Sequence, residues 1–423
     1  MRATRTSAGR IITSSAHRRR RPSRDAWHTT GRRPEGDAVT GSWEEWTRTS
    51  MEEQDRLFRR VDADGTYLPH QPIYGFEAYR AFQYGDLVEL ITQLDTLTFD
   101  SVLDVGCAEG FTPRLAQARY GASVMGLDLS VSGVRRMWDY HRIEGACADA
   151  HALPFADDAF DVVICTNTLE HTTEPADVIA ELARVARRHL FVGVPQALTK
   201  RELDEFEPDL GADHDQHVFL FVRDTFQAIL PESATITHVN ALPTLVAASA
   251  YKRTIGKVWQ ARSLVRANLA LDRVWRKAMP KHALYMLART DFADPSSAGV
   301  GNRTHPRRFV TDEIYRRNET ELPNRRLHWG LDGTHEFRQY RAKVDEPGDT
   351  QPPLTDELVG KLACTSCHAS VVAAPDAATL ECQGCGDRYE GRTGVPIMHS
   401  FYGGAPAKNE GEPQADAGRI LDW

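Results

Sequence analysis

The sequence lacks an apolar run long enough to cross a membrane, and it has no excess of positive charge. No stretch approaches the roughly 18 uninterrupted apolar residues that indicate a transmembrane helix. The net charge is -8, from 51 basic and 59 acidic side chains, which argues against a protein built wholly around a polyanion. A hydrophobic fraction of 41% is ordinary for a globular protein, and 423 residues allow two or three domains.

The N-terminus lacks the apolar centre of a secretory signal. Residues 1–35 contain ten arginines, with Asp25 and Glu35 as their only acids and Ile11-Ile12 as the only apolar pair. We therefore predict that residues 1–60 are a disordered basic arm or follow from a misassigned start, with the true start near Met51. A short helix-like stretch is expected at the end of this segment, over 43–60. An arm that binds an anionic partner is the third possibility. The expected location is the cytoplasm.

Cysteine is scarce and unevenly distributed. Cys107, Cys147 and Cys165 stand singly in apolar surroundings and are predicted to be buried free thiols. The other four form two CxxC pairs separated by fourteen residues: Cys364, Cys367, Cys382 and Cys385. Without a secretion signal, this spacing favours metal over disulfides, and four thiolates complete a closed tetrahedral zinc site. A disulfide and a chance spacing are the alternatives.

Short apolar strands alternate with helical segments between residues 101 and 195. SVLDVG, SVMGLD, FDVVICT and HLFVGVP are predicted to be buried strands, each followed or preceded by an amphipathic helix. This alternation predicts an α/β fold with a doubly wound, mostly parallel sheet that helices cover on both faces.

Composition sets the expected domain boundaries, since linkers and tails are rich in proline, glycine and charge. After the arm, we expect a domain at 61–291 with a basic helical insertion at 243–282, an irregular linker at 292–353, a compact metal-binding module at 354–402 and a disordered tail at 403–423.

The first predicted strand runs into a turn that contains Gly106 and Gly110. A turn between a strand and a helix exposes backbone N–H groups to an anionic ligand. The dinucleotide fingerprint G-x-G-x-x-G is absent because Ala108 occupies its middle position. A nicotinamide or flavin nucleotide is therefore disfavoured, and a single carboxylate fits better. We expect Ala108 to keep a negative φ, and the N–H groups of the turn to supply donors to the buried Asp104.

Polar residues also follow the next three strands. Asp128 ends the second strand, Asp149-Ala150 follows the third, and Asn167 to His171 follow the fourth. Carboxyl ends of parallel strands meet at one edge of the sheet, where ligands bind at the topological switch point. A carboxylate at the position of Asp128 can accept both hydroxyls of a ribose. Any one of these acids could alternatively cap a helix.

These motifs resemble those of the class I S-adenosylmethionine-dependent methyltransferases. VLDVGCAEG, GLDLS and ADAHALPFADDAFDVVICTNTLEH are similar to the family's first four motifs. The resemblance covers residues 75–291 and implies a Rossmann-like sheet of seven strands whose last strand, here within 283–288, is antiparallel. It implies that the cofactor is bound by Asp104, Gly106, Ala108 and Gly110 at its methionine part, Asp128 and Leu129 at its ribose, Asp149 and Ala150 at its adenine, and that Asn167 lines the methyl-transfer face.

Candidates for a catalytic base lie near the expected methyl-transfer face. A hydroxyl acceptor benefits from a general base, and His171 and His217 are the candidate catalytic residues, together with His214 and Glu170. The alternatives are a His171 that only packs and a His217 in a solvated loop.

The segment around the paired cysteines also resembles a known family. LVGKLACTSCHASV and LECQGCGDRYEGRTGVPIM, within residues 358–398, are similar to small zinc-ribbon proteins that activate RNA and protein methyltransferases. The resemblance implies a structural Zn²⁺ site at the four cysteines and a module that covers apolar surface of the methyltransferase.

Together, these observations predict an S-adenosylmethionine-dependent methyltransferase with a small-molecule or saccharide acceptor. An RNA or protein methyltransferase with a fused activator-like ribbon is the first alternative, and a catalytically silent cofactor-binding scaffold is the second. The segment 251–289 has ten basic residues against Asp272, and could pack as a lid or bind RNA, lipid or an anionic sugar.

Overall fold

The computed structural model describes residues 50–58 and 304–313 in part, and 80–195, 217, 219–232, 234–242, 282–289, 354–374, 379–392 and 394–398. The predicted basic insertion up to residue 281, the tail at 403–423 and His214 lie outside the described residues. The elements are α1 (Arg80–Leu94), β1 (Ser101–Val105), α2 (Phe111–Tyr120), β2 (Ser123–Asp128), α3 (Val131–His141), β3 (Glu144–Cys147), β4 (Phe160–Thr166), a 3₁₀ turn (Leu169–His171), α4 (Pro175–Val185), β5 (Ala186–Pro195), α5 (Arg223–Ala228), β6 (Ala234–Leu242), β7 (His282–Arg289), α6 (Asp356–Lys361), β8 (Val371–Ala373), β9 (Thr379–Cys382), β10 (Arg388–Arg392) and β11 (Val395–Pro396).

The main sheet has the strand order β3-β2-β1-β4-β5-β7-β6. Its first five strands are parallel, so the predicted doubly wound parallel sheet is confirmed for these strands. Strand β7 pairs antiparallel with both β5 and β6. The chain runs outward from β1 to β3 and then returns to place β4 on the other side of β1, which makes the β1–β4 border the switch point where such sheets bind ligands.

The buried strands carry apolar side chains on both faces, because helices cover both sides of the sheet. Alternate residues of β1 and β4 belong to two separate core clusters: Val102 and Val162 pack with α1, α2 and α3, whereas Leu103 and Val163 pack with α4. None of the described helices combines the length and the apolarity that a membrane crossing requires.

The border between α4 and β5 differs from the expected one. The sequence predicts a helix over 176–188, but α4 ends at Val185 and β5 begins at Ala186. The guanidinium of Arg187 donates to Oδ1 of Asp161 over 2.8 Å, and that pairing holds the start of β5 beside β4.

The predicted disordered arm contains ordered residues at its end. The described residues between 50 and 58 are helical, and Met51, Asp55 and Phe58 are all buried. Oδ1 of Asp55 accepts from Oγ of Ser130 at 2.9 Å and from the N–H of Ser132 at 2.8 Å. The expectation of disorder is therefore wrong for these residues, which cap the start of α3, whereas the helix expected over 43–60 is present in its described part.

The predicted linker at 292–353 also includes an ordered part. The described residues 306, 308–310 and 312–313 are helical, and Val310 is fully buried in the core cluster of α1 and α2. Nη2 of Arg119 donates to the carbonyl of Thr304 over 2.9 Å. The expectation of an irregular linker fails for this segment because it covers apolar surface of the main domain.

The C-terminal module packs directly against the main sheet. Its strands form a second sheet in the order β11-β10-β9-β8. Ile397 forms a parallel bridge with Cys147 of the edge strand β3, and the N–H of Met398 donates to the carbonyl of Cys147 over 2.8 Å. Leu362 forms a second bridge, with Phe155, and both residues belong to one core cluster. The module therefore extends the sheet at β3 and shares its core.

Candidate functional site

Polar residues from four strands meet at the carboxyl edge of the sheet. Asp104 lies in β1 beside Gly126 and Ile164 of its two neighbouring strands, and Asp128 pairs in register with Cys147 at the end of β3. Asp149 follows β3 by two residues. All three carboxylates are buried. Ala150 and Leu129 lie beside these acids and are half-buried.

The turn after β1 is built from three residues in the left-handed region. Gly106 and Gly110 have φ values of 78° and 80°, and Ala108 has a φ of 48°. The expectation of a negative φ at Ala108 is wrong, and the left-handed conformation costs an alanine about 1–2 kcal/mol. Gly106 is required on steric grounds as well, since a Cβ there would lie 2.0 Å from Oγ1 of Thr168.

The backbone N–H groups of the turn are already engaged. Those of Gly106 and Cys107 donate to the carbonyl of Leu127 at 2.7 and 3.0 Å. The N–H of Ala108 donates to Oδ2 of Asp128 at 2.8 Å. The expectation that the turn supplies donors to Asp104 is therefore wrong for these three groups. They hold the turn against the end of β2 instead.

The electrostatics of Asp104 and Asp128 favour a cationic ligand. Burial, together with the charge of Asp128, raises the pKa of Asp104 to about 8. Burial raises the pKa of Asp128 to about 6, although the N–H groups of Ser130 and Ala108 act in the opposite direction. Two buried carboxylates at one edge oppose each other's ionisation, and a positive group between them would relieve both.

A hydrogen-bonded histidine that sequence reasoning missed stands beside Asp149. Oδ1 of Asp149 accepts from the N–H of His151 at 3.0 Å and lies 2.6 Å from Nδ1 of its ring. Nε2 of the same ring accepts from the N–H of Glu174 at 3.3 Å. Burial alone would lower the pKa of His151, but the hydrogen bond and the charge of Asp149 raise it. The D-x-H spacing was the available signal. The pair joins β3 to the segment that leads into α4.

The segment after β4 forms the other wall of the site. Asn167 has a φ of 55°, and its N–H donates to the carbonyl of Gly193 over 2.9 Å. The 3₁₀ turn that follows carries His171, whose ring centroid lies 5.2 Å from that of His217. The structure thus brings the two candidate bases together, although 46 positions separate them in the sequence.

The four cysteines of the C-terminal module also come together. Their sulfur atoms all lie within 4.8 Å of one another, with Cys364 and Cys385 at 3.5 Å and Cys367 and Cys382 at 3.4 Å. These separations are too long for a disulfide, which needs about 2.05 Å. Sulfurs on a tetrahedral zinc ion lie roughly 3.8 Å apart, so the cluster suits a four-thiolate site.

Backbone donors stabilise the thiolate of Cys382 in this cluster. The N–H groups of Cys385 and Gly384 point at the sulfur of Cys382 at 3.4 and 3.2 Å, and they lower its pKa to about 6. The hydroxyl of Tyr389 donates to the sulfur of Cys364 over 3.1 Å. Donors aimed at sulfur are the outer shell that orients metal ligands.

Comparison with known proteins identifies the class of the segment that carries this site. Residues 103–190 match the family model described as "Methyltransferase domain". This segment is therefore similar to class I S-adenosylmethionine-dependent methyltransferases.

Particular relatives carry related names. The chain is 31% identical to "Methyltransferase GfsG" of Streptomyces halstedii over 28% of this chain and 45% of the relative. It is 39% identical to "Ubiquinone biosynthesis O-methyltransferase" of Hahella chejuensis over 24% of this chain and 44% of the relative. The chain thus spans less than half the length of these relatives. A structure of geranyl diphosphate C-methyltransferase from Streptomyces coelicolor aligns with 57% of this chain and 98% of its own, at 15% identity and a TM-score of 0.39.

Proposed function

We propose that this protein is an S-adenosylmethionine-dependent methyltransferase that acts on a small-molecule acceptor. The observation that carries the proposal is the meeting of Asp104, Asp128 and Asp149 at the switch-point edge, next to the left-handed turn. The family match over residues 103–190 covers β2, β3 and β4 completely, together with the last three residues of β1 and the first five of β5.

The residues at this edge fit the chemical groups of the cofactor. Burial raises the pKa of both Asp104 and Asp128, so an ammonium group bound beside them would favour their ionised forms and pair with them. The oxygens of Asp128 accept from the N–H groups of Ala108 and Ser130, and a carboxylate with about four acceptor sites keeps capacity for the hydroxyl groups of a ribose. Gly106, Ala108 and Gly110 would flank the methionine part, Leu129 the ribose, and Ala150 with Asp149 the adenine.

The cofactor supplies a methyl group bound to a positively charged sulfur. The chain has to bind it, exclude water and orient the acceptor, and alignment of this kind accounts for much of the catalysis in such displacements. Asn167 lies at the wall where an acceptor would approach. His171 and His217 are the proposed bases for a hydroxyl acceptor.

The acceptor class rests on the names of the relatives. The chain is similar to an O-methyltransferase named for ubiquinone biosynthesis and to a chloroplastic tocopherol O-methyltransferase of Arabidopsis thaliana. Both names refer to small molecules. The location in the cytoplasm belongs to the same proposal.

A second candidate function is the methylation of RNA or protein. The observation that favours it is the packing of the cysteine module on the sheet edge at β3, through the bridge between Ile397 and Cys147. Because the module resembles methyltransferase activators, we interpret this contact as that of an activator on its methyltransferase domain. We include a structural zinc ribbon at Cys364, Cys367, Cys382 and Cys385, and a complete seven-stranded sheet with β7 antiparallel, in the proposal.

Isothermal titration of the full-length protein with S-adenosylmethionine tests the cofactor assignment. We expect saturable binding by the wild type and about tenfold or more weaker binding by Asp128→Ala, because the variant loses the ribose acceptor. Asp139→Ala, on the outer part of α3, is the matched control. Equal affinity of the wild type and Asp128→Ala would overturn the assignment of that residue.

The acceptor is tested with labelled cofactor and a cell extract divided into RNA, protein and small molecules. Label in the small-molecule fraction supports the first candidate function, and label in RNA or protein supports the second. Label in no fraction, with tight cofactor binding retained, would indicate a silent scaffold.

A further inference from the structure

A cluster of one carboxylate and two imidazoles stands at the end of β4. Glu170 and His171 belong to the 3₁₀ turn, and His217 comes from the chain after β5. Nε2 of His217 lies 4.0 Å from Oε1 of Glu170. One potential ligand atom from each of the three residues lies within 4.8 Å of the others.

The carboxylate of Glu170 is almost completely removed from water. The side chain is 1% exposed, and its Oε2 atom has no hydrogen-bond partner in the described part of the chain. An ionised carboxylate buried without full compensation is costly. Oε2 of Glu170 can therefore accept a ligand atom or ion that the described side chains do not supply at hydrogen-bond distance.

The backbone fixes the position of the cluster from two sides. The N–H of Phe219 donates to the carbonyl of Glu170 over 3.1 Å, which ties the segment of His217 to the 3₁₀ turn. The N–H of His171 donates to the carbonyl of Thr168 over 3.0 Å. The three side chains are thus held near one point before any ligand binds.

We propose that Glu170, His171 and His217 bind a divalent first-row transition-metal ion. Imidazole nitrogen and carboxylate oxygen are common ligands of such ions, and three protein ligands leave at least one position open. Two ligand atoms on a tetrahedral ion lie roughly 3.3 Å apart. Side-chain rotations that shorten the observed separations by up to about 1.5 Å would reach this geometry. The side chain of His217, 41% exposed, has room to move.

The site faces the place where an acceptor would bind. The side chain of Thr168, the residue before the 3₁₀ turn, meets the cofactor turn at Gly106. If the proposed function holds, the ion would bind an acceptor through oxygen. A cation lowers the pKa of a bound hydroxyl, whose proton leaves to water. The acceptor class is then a hydroxyl compound, and the role of metal ligand replaces the role of base that His171 and His217 have in a metal-free site.

Titration with Co²⁺ of the full-length protein that carries one Zn²⁺ per chain, at the four cysteines, tests the site. Cobalt held by nitrogen and oxygen lacks the intense thiolate charge-transfer absorption of cobalt held by cysteines, so the two sites can be told apart. We expect one Co²⁺ per chain without that absorption, and about tenfold or more weaker binding in Glu170→Gln and in His217→Asn. His305→Asn removes an exposed imidazole outside the cluster and is the matched control. Binding that is absent, or equal in wild type and both variants, overturns the proposal.

S-adenosylmethionine titration of the same proteins separates this inference from the proposed function. Co²⁺ binding without S-adenosylmethionine binding supports the metal site and overturns the methyltransferase assignment. S-adenosylmethionine binding without Co²⁺ binding overturns the metal site and supports the methyltransferase assignment. Retained S-adenosylmethionine binding by Glu170→Gln also shows that this variant is folded. If it does not fold, His217→Asn, at a partly exposed position, decides the test.

Discussion

The N–H of Ala108 donates to Oδ2 of Asp128 over 2.8 Å, which joins the left-handed turn after β1 to the end of β2. Oδ1 of Asp128 accepts from the N–H of Ser130, so the same carboxylate also fixes the start of α3. The N–H groups of Gly106, Cys107 and Ala108 thus donate to Leu127 and Asp128, and not to Asp104. Asp104 is thus buried without these N–H donors, and burial disfavours its ionised form. A cationic ligand would stabilise that ionised form.

The first prediction concerns the pH dependence that Asp104 imposes on stability. An unfolded aspartate titrates near 3.9, whereas burial and the charge of Asp128 raise the folded pKa of Asp104 to about 8. Between these values the folded state binds more protons, so this residue makes the free energy of unfolding fall as pH rises. We expect Asp104→Asn to flatten the decline between pH 5 and pH 8, measured by urea unfolding of the ligand-free protein.

Asp161→Asn is the control with the opposite sign. Burial favours a higher pKa for Asp161, but the N–H of Asp100 and the guanidinium of Arg187 outweigh it and lower the pKa. The stability from Asp161 is therefore present above the unfolded pKa and is lost as pH falls below about 4. Parallel curves for the wild type and Asp104→Asn between pH 5 and pH 8 would contradict the first prediction.

The parallel strands could be predicted from the sequence because burial on both faces makes them uniformly apolar. FDVVICT has the same bounds as β4. The helical character of the described residues 50–58 was also predictable, but their attachment to the main domain was not, because it depends on a contact between Asp55 and Ser130, which lie 75 positions apart. Local composition near residue 55 is polar and gives no sign of that contact.

The site was only partly predictable for a related reason. Strand-end acids such as Asp128 follow from the topology of parallel sheets. The burial of Glu170 and its approach to His217 depend on how the chain after β5 folds back, and no periodicity in the sequence records that. The φ of Ala108 was also missed, since its N–H is turned toward Asp128 by tertiary structure.

The second prediction tests the helical residues between 50 and 58. Met51 and Phe58 are buried, and Asp55 accepts two hydrogen bonds at the start of α3. We expect a protein that lacks residues 1–49 to keep wild-type stability, and Asp55→Ala to lose about 2–3 kcal/mol, since hydrogen bonds to a charged group contribute about 1.5–3 kcal/mol each. Urea unfolding measures both. Equal stability of Asp55→Ala and the wild type would show that this contact is not formed in solution.

The third prediction concerns removal of metal from the cysteine cluster. Leu362 and Tyr389 of the module belong to the same core cluster as Phe155 of the main domain. Metal binding supplies folding free energy to a module with so little core of its own. We expect a chelator to lower the Tm of the main unfolding transition by several degrees, and to have no further effect on Cys382→Ser. A wild-type Tm that stays unchanged when the chelator is added would contradict the proposed zinc ribbon.

The fourth prediction uses the two matched turns that hold the cysteines. The N–H of His368 donates to the carbonyl of Cys364, and that of Gly386 to the carbonyl of Cys382, with φ values of 57° and 80°. The left-handed conformation lowers the free energy of unfolding by about 1–2 kcal/mol when the residue is histidine. A glycine lowers it by about 0.4–1 kcal/mol, because glycine increases the entropy of the unfolded state. His368 is exposed, so no burial is lost, and His368→Gly is expected to gain roughly 0.5 kcal/mol in urea unfolding. Gly386→His should lose a similar amount. Changes of the same sign in both variants would mean that the φ of these turns does not govern their stability.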